Sequence, residues 1–280
     1  LVLLAGTLAT GTHRREGGGA VTIVLSTAPS SFDDQYLRCH FNVMRALPAL
    51  SRTEFVPAGD FAEAWSKAAA LWPNRWGKIT TMRDLRTVSY TLLAYTMEEG
   101  LYPEFNRATR VAGRSRREYL RSFPFQVLHF LLTEALKDVR SARGRPRCLH
   151  VYRGVTVRSV AGPGRIVRFG QFASSSLLRN VSASYGTGTV FEVDACYGAE
   201  VRHFSSYPEE EEEVLIPPFE TFRVTNVTHR GKETHIQLRS HGVHSNYSWA
   251  WLRGDVPGAG TLQWGGCGGH GGWGSAGTGG

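Results

Sequence analysis

The sequence predicts an α+β fold, with helices in its first half and sheets built mainly from its second. Two observations carry this: apolar residues recur at helical spacing up to about residue 145, and from Pro146 onward the period changes to alternation. No internal repeat is found. With 280 residues, of which 41% are apolar, the chain is long enough to bury a sizeable core without help from cross-links.

The elements follow in order. Ser31, Phe32, Asp33 and Asp34 read as the start of a first helix, with Tyr36, His40, Val43 and Leu47 as its stripe. Asp60 and Glu63 have the spacing of a capping box, followed by a face of Phe61, Trp65, Ala68 and Trp72 that Pro73 stops. A third helix runs from about Leu85 to Glu99. The strongest spans Pro124 to Arg140, striped by Leu128, Leu131, Leu132, Ala135, Leu136 and Val139. Ser122 can cap it, and Pro124 suits its first turn. Strands are then expected at Leu149 to Val157, Arg165 to Ala173, Thr189 to Ala195, Glu213 to Pro217, Thr221 to Val227 and Thr234 to Leu238.

The ends differ in character. Residues 1–20 open with Leu1-Val2-Leu3-Leu4 and small residues, like the apolar part of a signal peptide lacking its start. In residues 254–280, 13 of 27 are glycine, so 253–280 reads as a disordered tail that cannot bury enough apolar surface to offset its ordering entropy. No segment reads as a membrane span, and no hydrophobic tail of the kind that directs a lipid anchor is present. Three glycosylation sequons, at Asn180, Asn226 and Asn246, fit a secreted or extracellular protein. Cys39, Cys148, Cys196 and Cys267 match no zinc spacing, and in an exported chain they favour disulfides.

Net charge is +8, with a pI near 9.6, which attracts phosphate-bearing or acidic partners. The densest basic cluster, Arg114, Arg116 and Arg117, reads as a solvated helix face. No RNP, zinc-finger or helix-turn-helix pattern is present, so nucleic acid is not the expected partner. Arg253-Gly254-Asp255 spells an integrin-type tripeptide that chance explains well.

Three clusters in the strand half carry chemistry. Tyr152-Arg153-Gly154 puts an arginine inside an apolar strand, where it is either a half-exposed strand residue or an anion anchor. Phe172-Ala173-Ser174-Ser175-Ser176 closes a strand with three hydroxyls, which also suits a turn or a cap. Glu209 to Glu213 run directly into Val214-Leu215-Ile216-Pro217-Pro218; an acidic run alone is most often a solvated loop.

Taken in order, an arginine on a strand, a serine cluster about twenty residues on, and Glu-x-Glu before an apolar strand resemble the R-S-E signature of the arginine-specific mono-ADP-ribosyltransferases, the vertebrate extracellular branch above all. Ser31 through Tyr36, Ala94-Tyr95-Thr96-Met97, Phe169-Gly170-Gln171-Phe172 and Glu213 through Phe222 match as well. The likeness runs from about residue 22 to 252. It implies one transferase domain over 21–252, helical over about 30–145 and stranded over about 147–240, with a mainly antiparallel two-sheet core of the ADP-ribosyltransferase type.

The resemblance also implies a reaction: ADP-ribose passes from NAD, a substrate and not a resident cofactor, to the arginine side chains of acceptor proteins, and nicotinamide leaves. Arg153 is then the phosphate anchor. Gly154 lets the backbone approach the nicotinamide amide. Ser174 fixes the carboxylate and ribose, and Glu213 stabilises the oxocarbenium-like state. Glu211 corresponds to the reader of the acceptor arginine. In an extended segment residues two apart point the same way, so both carboxylates can face one cavity. No metal site is indicated. An NAD glycohydrolase would use the same three residues, and a non-catalytic binding protein on the same scaffold is the third reading.

The family pattern also implies an inner disulfide between Cys148 and Cys196. It usually pairs a cysteine near Cys39 with one that follows a segment like His244-Ser245-Asn246-Tyr247, and here Trp249 stands at that second place. Cys39 is then either free or paired with Cys267 in the tail.

Overall fold

A computed structural model describes residues 13–14, 22–37, 39–54, 59–76, 83–97, 101–142, 148–182, 186–204, 212–231, 233–247 and 249. The first half is dominated by six helices: α1 (His40–Glu54), α2 (Gly59–Trp76), α3 (Arg83–Met97), α4 (Leu101–Ala112), α5 (Arg116–Ser122) and α6 (Gln126–Ala142). They pack around Phe32, Tyr36, Leu92, Tyr95, Phe105, Phe130 and Leu132, all buried. Two short strands, β1 (His13–Arg14) and β2 (Thr22–Val24), precede the helices. β1 lies inside the stretch that reads as signal-like; the rest of 1–20 and all of 253–280 lie outside the described residues.

The strand half supplies β3 (Leu149–Val155), β4 (Arg158–Val160), β5 (Ile166–Val167), β6 (Ala173–Ser176), β7 (Thr189–Ala195), β8 (Ala199–Glu200), β9 (Glu213–Ile216), β10 (Glu220–Arg230) and β11 (Glu233–Val243), with the short helix α7 (Arg179–Ser182) after β6. The large sheet runs β5-β10-β11-β7-β3-β6-β9-β8, and β1-β2-β4 form a small one. Within the large sheet only β11 and β7 are parallel. The α+β, mainly antiparallel expectation therefore holds. A second apolar cluster, including Val151, Phe191, Val193, Val214, Phe222 and Ile236, fills the sheet side.

Several boundaries differ from the sequence reading. The first helix starts at His40, because Asp33 and Asp34 spend their carboxylates elsewhere. Asp33 accepts the N–H groups of Asn246 at 2.9 Å and Tyr247 at 3.1 Å, and is ion-paired with the buried Arg168. Asp34 accepts the N–H groups of Tyr36 at 2.8 Å and of Trp249. α2 continues past Pro73 to Trp76, although proline has no N–H to give the carbonyl one turn back. The side chains of Asp60, Phe61 and Trp72 lie outside the described residues, and Glu63 pairs with Lys67 at 2.8 Å.

α4 and α5 are not among the elements that periodicity predicts. The cluster Arg114, Arg116 and Arg117 is exposed around the α5 cap, where Ser115 accepts the N–H of Glu118. Ser122 ends α5 and does not cap α6. The first N–H groups of α6 donate instead to the buried Glu54, from Gln126 at 2.9 Å and Val127 at 2.8 Å. The strand expected over 165–173 splits into β5 and β6. Between them Arg168 is held by the carbonyls of Thr27, Ala28 and His244, and Gly170 turns the chain at φ +66°.

The implied disulfide is present: Cys148 and Cys196 are bonded, 48 residues apart in sequence, clamping the start of β3 to the end of β7. Closing a loop this long stabilises by about 4 kcal/mol in the chain-entropy model. Cys148→Ser/Cys196→Ser should therefore lower the thermal midpoint by roughly 10 °C, read by calorimetry; a shift of a degree or two would show that the strand pairing alone suffices. Cys39 is buried in the helical core, in the same apolar cluster as Trp249.

Buried ionisable groups set a pH dependence. Burial raises the carboxyl pKa of Glu54 to about 8, although the α6 N–H groups partly oppose it. Burial likewise lifts Glu220 to about 7 and Asp34 to about 6. A raised folded pKa gives stability that is full below the unfolded value and is lost as pH rises through the folded one. His129, buried between Phe32 and Tyr36, is lowered by burial to about 3, so its contribution is present above its unfolded pKa and is lost as pH falls. Together they predict a midpoint that climbs as pH drops from about 8 to about 4 and then turns over. Glu54→Gln should flatten the upper part of this climb. An unsloped midpoint from pH 5 to 8 would contradict the assignment.

Candidate active site

β3 and β6 pair at a single position, Tyr152 with Ser176, whereas β3 pairs with β7 along its whole length. The large sheet is thus nearly parted between β3 and β6, with Arg153 and Gly154 on one side of the seam and the β6 serines on the other, next to Glu213 of β9. Arg153 lies in β3 opposite Phe191 and is 1% exposed. Its guanidinium donates to the carbonyl of Ser174, the second residue of β6. Gly154 follows it, buried and paired with Val190.

β6 is buried throughout, and β9 continues the sheet with Ser174 opposite Leu215 and Ser176 opposite Glu213. Paired residues share a face, so Ser174, Ser176 and Glu213 point to one side of these strands. The Ser176 hydroxyl accepts the N–H of Leu178 at 3.0 Å and shapes the turn after β6. Glu213 is fully buried at the first position of β9.

Immediately before it, Glu212 has φ +38°, a left-handed conformation unfavourable for a residue with a Cβ. The Glu212 carbonyl accepts the N–H of Leu177 at 3.2 Å, and its carboxylate meets Arg202 at 3.3 Å. The chain is therefore not extended at Glu212, which removes the alternation argument for Glu211 and Glu213 facing the same way. Glu211 itself lies outside the described residues.

The helical layer adds polar groups to which sequence reasoning gave no role. Tyr95 of α3 is buried; its hydroxyl accepts from the Asn106 amide at 3.1 Å and donates to the Phe172 carbonyl at 3.5 Å. Burial raises its phenol pKa most, Asn106 opposes that, Glu213 raises it further and Arg153 lowers it. One tyrosine thus feels both the candidate carboxylate and the candidate anchor. Arg110 of α4 donates to the side chain of Gln171, and burial, then Arg107 and Arg153, lower its pKa to about 10. Buried Asn, Arg and Tyr on amphipathic helices look like solvated positions in a sequence. The one available signal was that Tyr95 and Gln171 fall within the matching stretches.

Chemically, the seam offers a buried guanidinium, with serine hydroxyls and a buried carboxylate that share one side of the neighbouring strands. That set suits a phosphate-bearing substrate on which positive charge develops.

Comparison with known proteins agrees with this chemistry. The family model described as NAD:arginine ADP-ribosyltransferase matches residues 25–246. The erythroblast NAD(P)(+)–arginine ADP-ribosyltransferase of Gallus gallus is 46% identical over 251 residues, covering 89% of this chain and 83% of the relative. The GPI-linked NAD(P)(+)–arginine ADP-ribosyltransferase 1 of Homo sapiens is 42% identical, over 82% of this chain and 75% of the relative. Among solved structures, a mutant of the eukaryotic mono-ADP-ribosyltransferase ART2.2 in complex with NAD superposes with a TM-score of 0.69 at 31% identity, covering 81% of this chain and 99% of that one. A buried arginine beside a serine strand, with a buried glutamate on the next strand, and a match over most of the chain have one reading: the chain belongs to the NAD:arginine ADP-ribosyltransferase family.

Proposed function

We propose that the chain cleaves the nicotinamide–ribose bond of NAD and transfers ADP-ribose to a guanidinium nitrogen of arginine in a protein acceptor. The observation that supports this is Arg153 beside Ser174 across the β3–β6 seam of a family member, with the buried Glu213 on the next strand. The relatives' NAD(P)(+)–arginine names and the NAD complex of ART2.2 support the substrate pair.

In this reading Arg153 holds the pyrophosphate, because guanidinium binds phosphate oxygens in bidentate fashion. Gly154 gives nicotinamide a close backbone seat. Nicotinamide leaves with the electrons of the C–N bond, and Glu213, fixed through Ser174 and the ribose, stabilises the cation left at the anomeric carbon. The acceptor nitrogen then attacks and gives up a proton, with Glu211 orienting the guanidinium. The functional domain is residues 21–252, and the Cys148–Cys196 bond supports export to an oxidising compartment. Two relatives carry the words GPI-linked and ecto in their names. Among the described residues no helix is long and apolar enough to cross a membrane.

The test is incubation of the purified chain with labelled NAD and polyarginine, counting label on the acceptor and free ADP-ribose separately. Label on polyarginine supports the transferase; free ADP-ribose alone would assign a glycohydrolase; neither product from a folded sample would leave a binding protein. Glu211→Gln should lose acceptor labelling and retain NAD cleavage. Equal loss of both would remove Glu211 from acceptor recognition.

A further inference from the structure

The outer side of α1 carries an apolar row that the fold does not use. The inner side already gives Val43 and Leu50 to the core, with Ala46 and Leu47 packed against it. On the opposite side Leu37, Phe41 and Met44 are 74%, 80% and 45% exposed. The Tyr36 carbonyl accepts the N–H of His40 at 3.1 Å, so helical winding begins just before α1. Leu37, Phe41, Met44 and the exposed Pro48 then follow at steps of four, three and four residues, on one face. Single exposed apolar residues are ordinary, but a contiguous row is not.

The charge carried by the segment itself has one sign. From Leu37 to Thr53 the sequence holds no carboxylate, while Arg45 and Arg52 are exposed. Glu54, which ends the helix, is turned inward onto α6. On α6, Glu134 is engaged by His40 at 2.6 Å and Lys137 at 2.6 Å, and Asp138 one turn on is exposed.

We propose that this face of α1 is a membrane-contact surface, with Leu37, Phe41 and Met44 entering an anionic bilayer and Arg45 and Arg52 meeting its headgroups. A basic amphipathic helix with projecting aromatic and aliphatic side chains has the chemistry of an interfacial anchor. Three side chains fall well short of the ~800 Å² per partner that a stable protein interface buries. Bilayer contact needs no matching shape, and its strength scales with apolar area and lipid charge.

The test uses the full chain and does not depend on transferase activity. It is mixed with vesicles of phosphatidylcholine alone, or with roughly a third phosphatidylserine, and the bound fraction is read by sedimentation. The chain should bind the anionic vesicles far better than the neutral ones, less so at high salt. Leu37→Ser/Phe41→Ser should weaken that binding by about tenfold or more, with an unchanged thermal midpoint. Equal binding by the double variant would reduce the effect to diffuse charge and overturn the proposal, as would absence of binding by the wild type. A wild-type dimer that the double variant splits would assign the face to a second copy instead, overturning it as well.

Discussion

Glu213→Gln should leave the protein folded and able to bind NAD, yet lower ADP-ribose transfer by about 10²–10³-fold. Glutamine preserves the size of the side chain and its place opposite Ser176, so packing at the first position of β9 changes little. What it removes is a negative charge in a buried site, where an ion is worth far more than in water because no solvent competes. The same loss should appear in hydrolysis of NAD without acceptor, since both outcomes pass through the same cation. Removing this charge should also let the phenol of Tyr95 titrate lower, because Glu213 is one of the groups holding it up. A variant that keeps a tenth or more of the wild-type rate would take Glu213 out of bond breaking and return the question to the rest of the acidic run.

The second large effect is on stability. Asp33→Asn should destabilise the fold by about 3–5 kcal/mol, because it leaves Arg168 charged and buried without its counterion. The pair is completely inaccessible, and burial raises the Asp33 carboxyl pKa even against the guanidinium beside it. Removing both charges, as in Asp33→Asn/Arg168→Met, should recover part of the loss, since an apolar replacement pays no desolvation. Urea titration of the two variants reads this directly. A single variant within 1 kcal/mol of wild type would show that the carbonyls of Thr27, Ala28 and His244 alone satisfy Arg168.

Much of the architecture was legible because periodicity is a local property. The stripe from Leu128 to Val139 and the alternation from Thr189 to Ala195 both correspond to elements found at those places. Legibility failed where a long-range partner overrode local preference. Ser31 to Asp34 look like a helix start, but their carboxylates bind N–H groups more than two hundred residues away. The strand from Arg165 to Ala173 is broken by a buried arginine whose partners no local window contains. The same holds at the site. Arg153, Ser174 and Glu213 could be picked out by their order along the chain, while Asn106, Arg110 and the left-handed turn at Glu212 acquire meaning only through contacts made in three dimensions.

The grip of Asp33 on Asn246 and Tyr247 has a bearing on biosynthesis. A chain made from its N-terminal end carries Asp33 for more than two hundred residues before those N–H donors exist. Until His244 to Trp249 leave the ribosome, the helical layer holds a loop whose carboxylates lack their backbone donors from that segment. The domain is therefore obliged to finish folding after nearly all of it has been translated, and nascent chains halted before His244 should be far more open to protease than those released past Trp249.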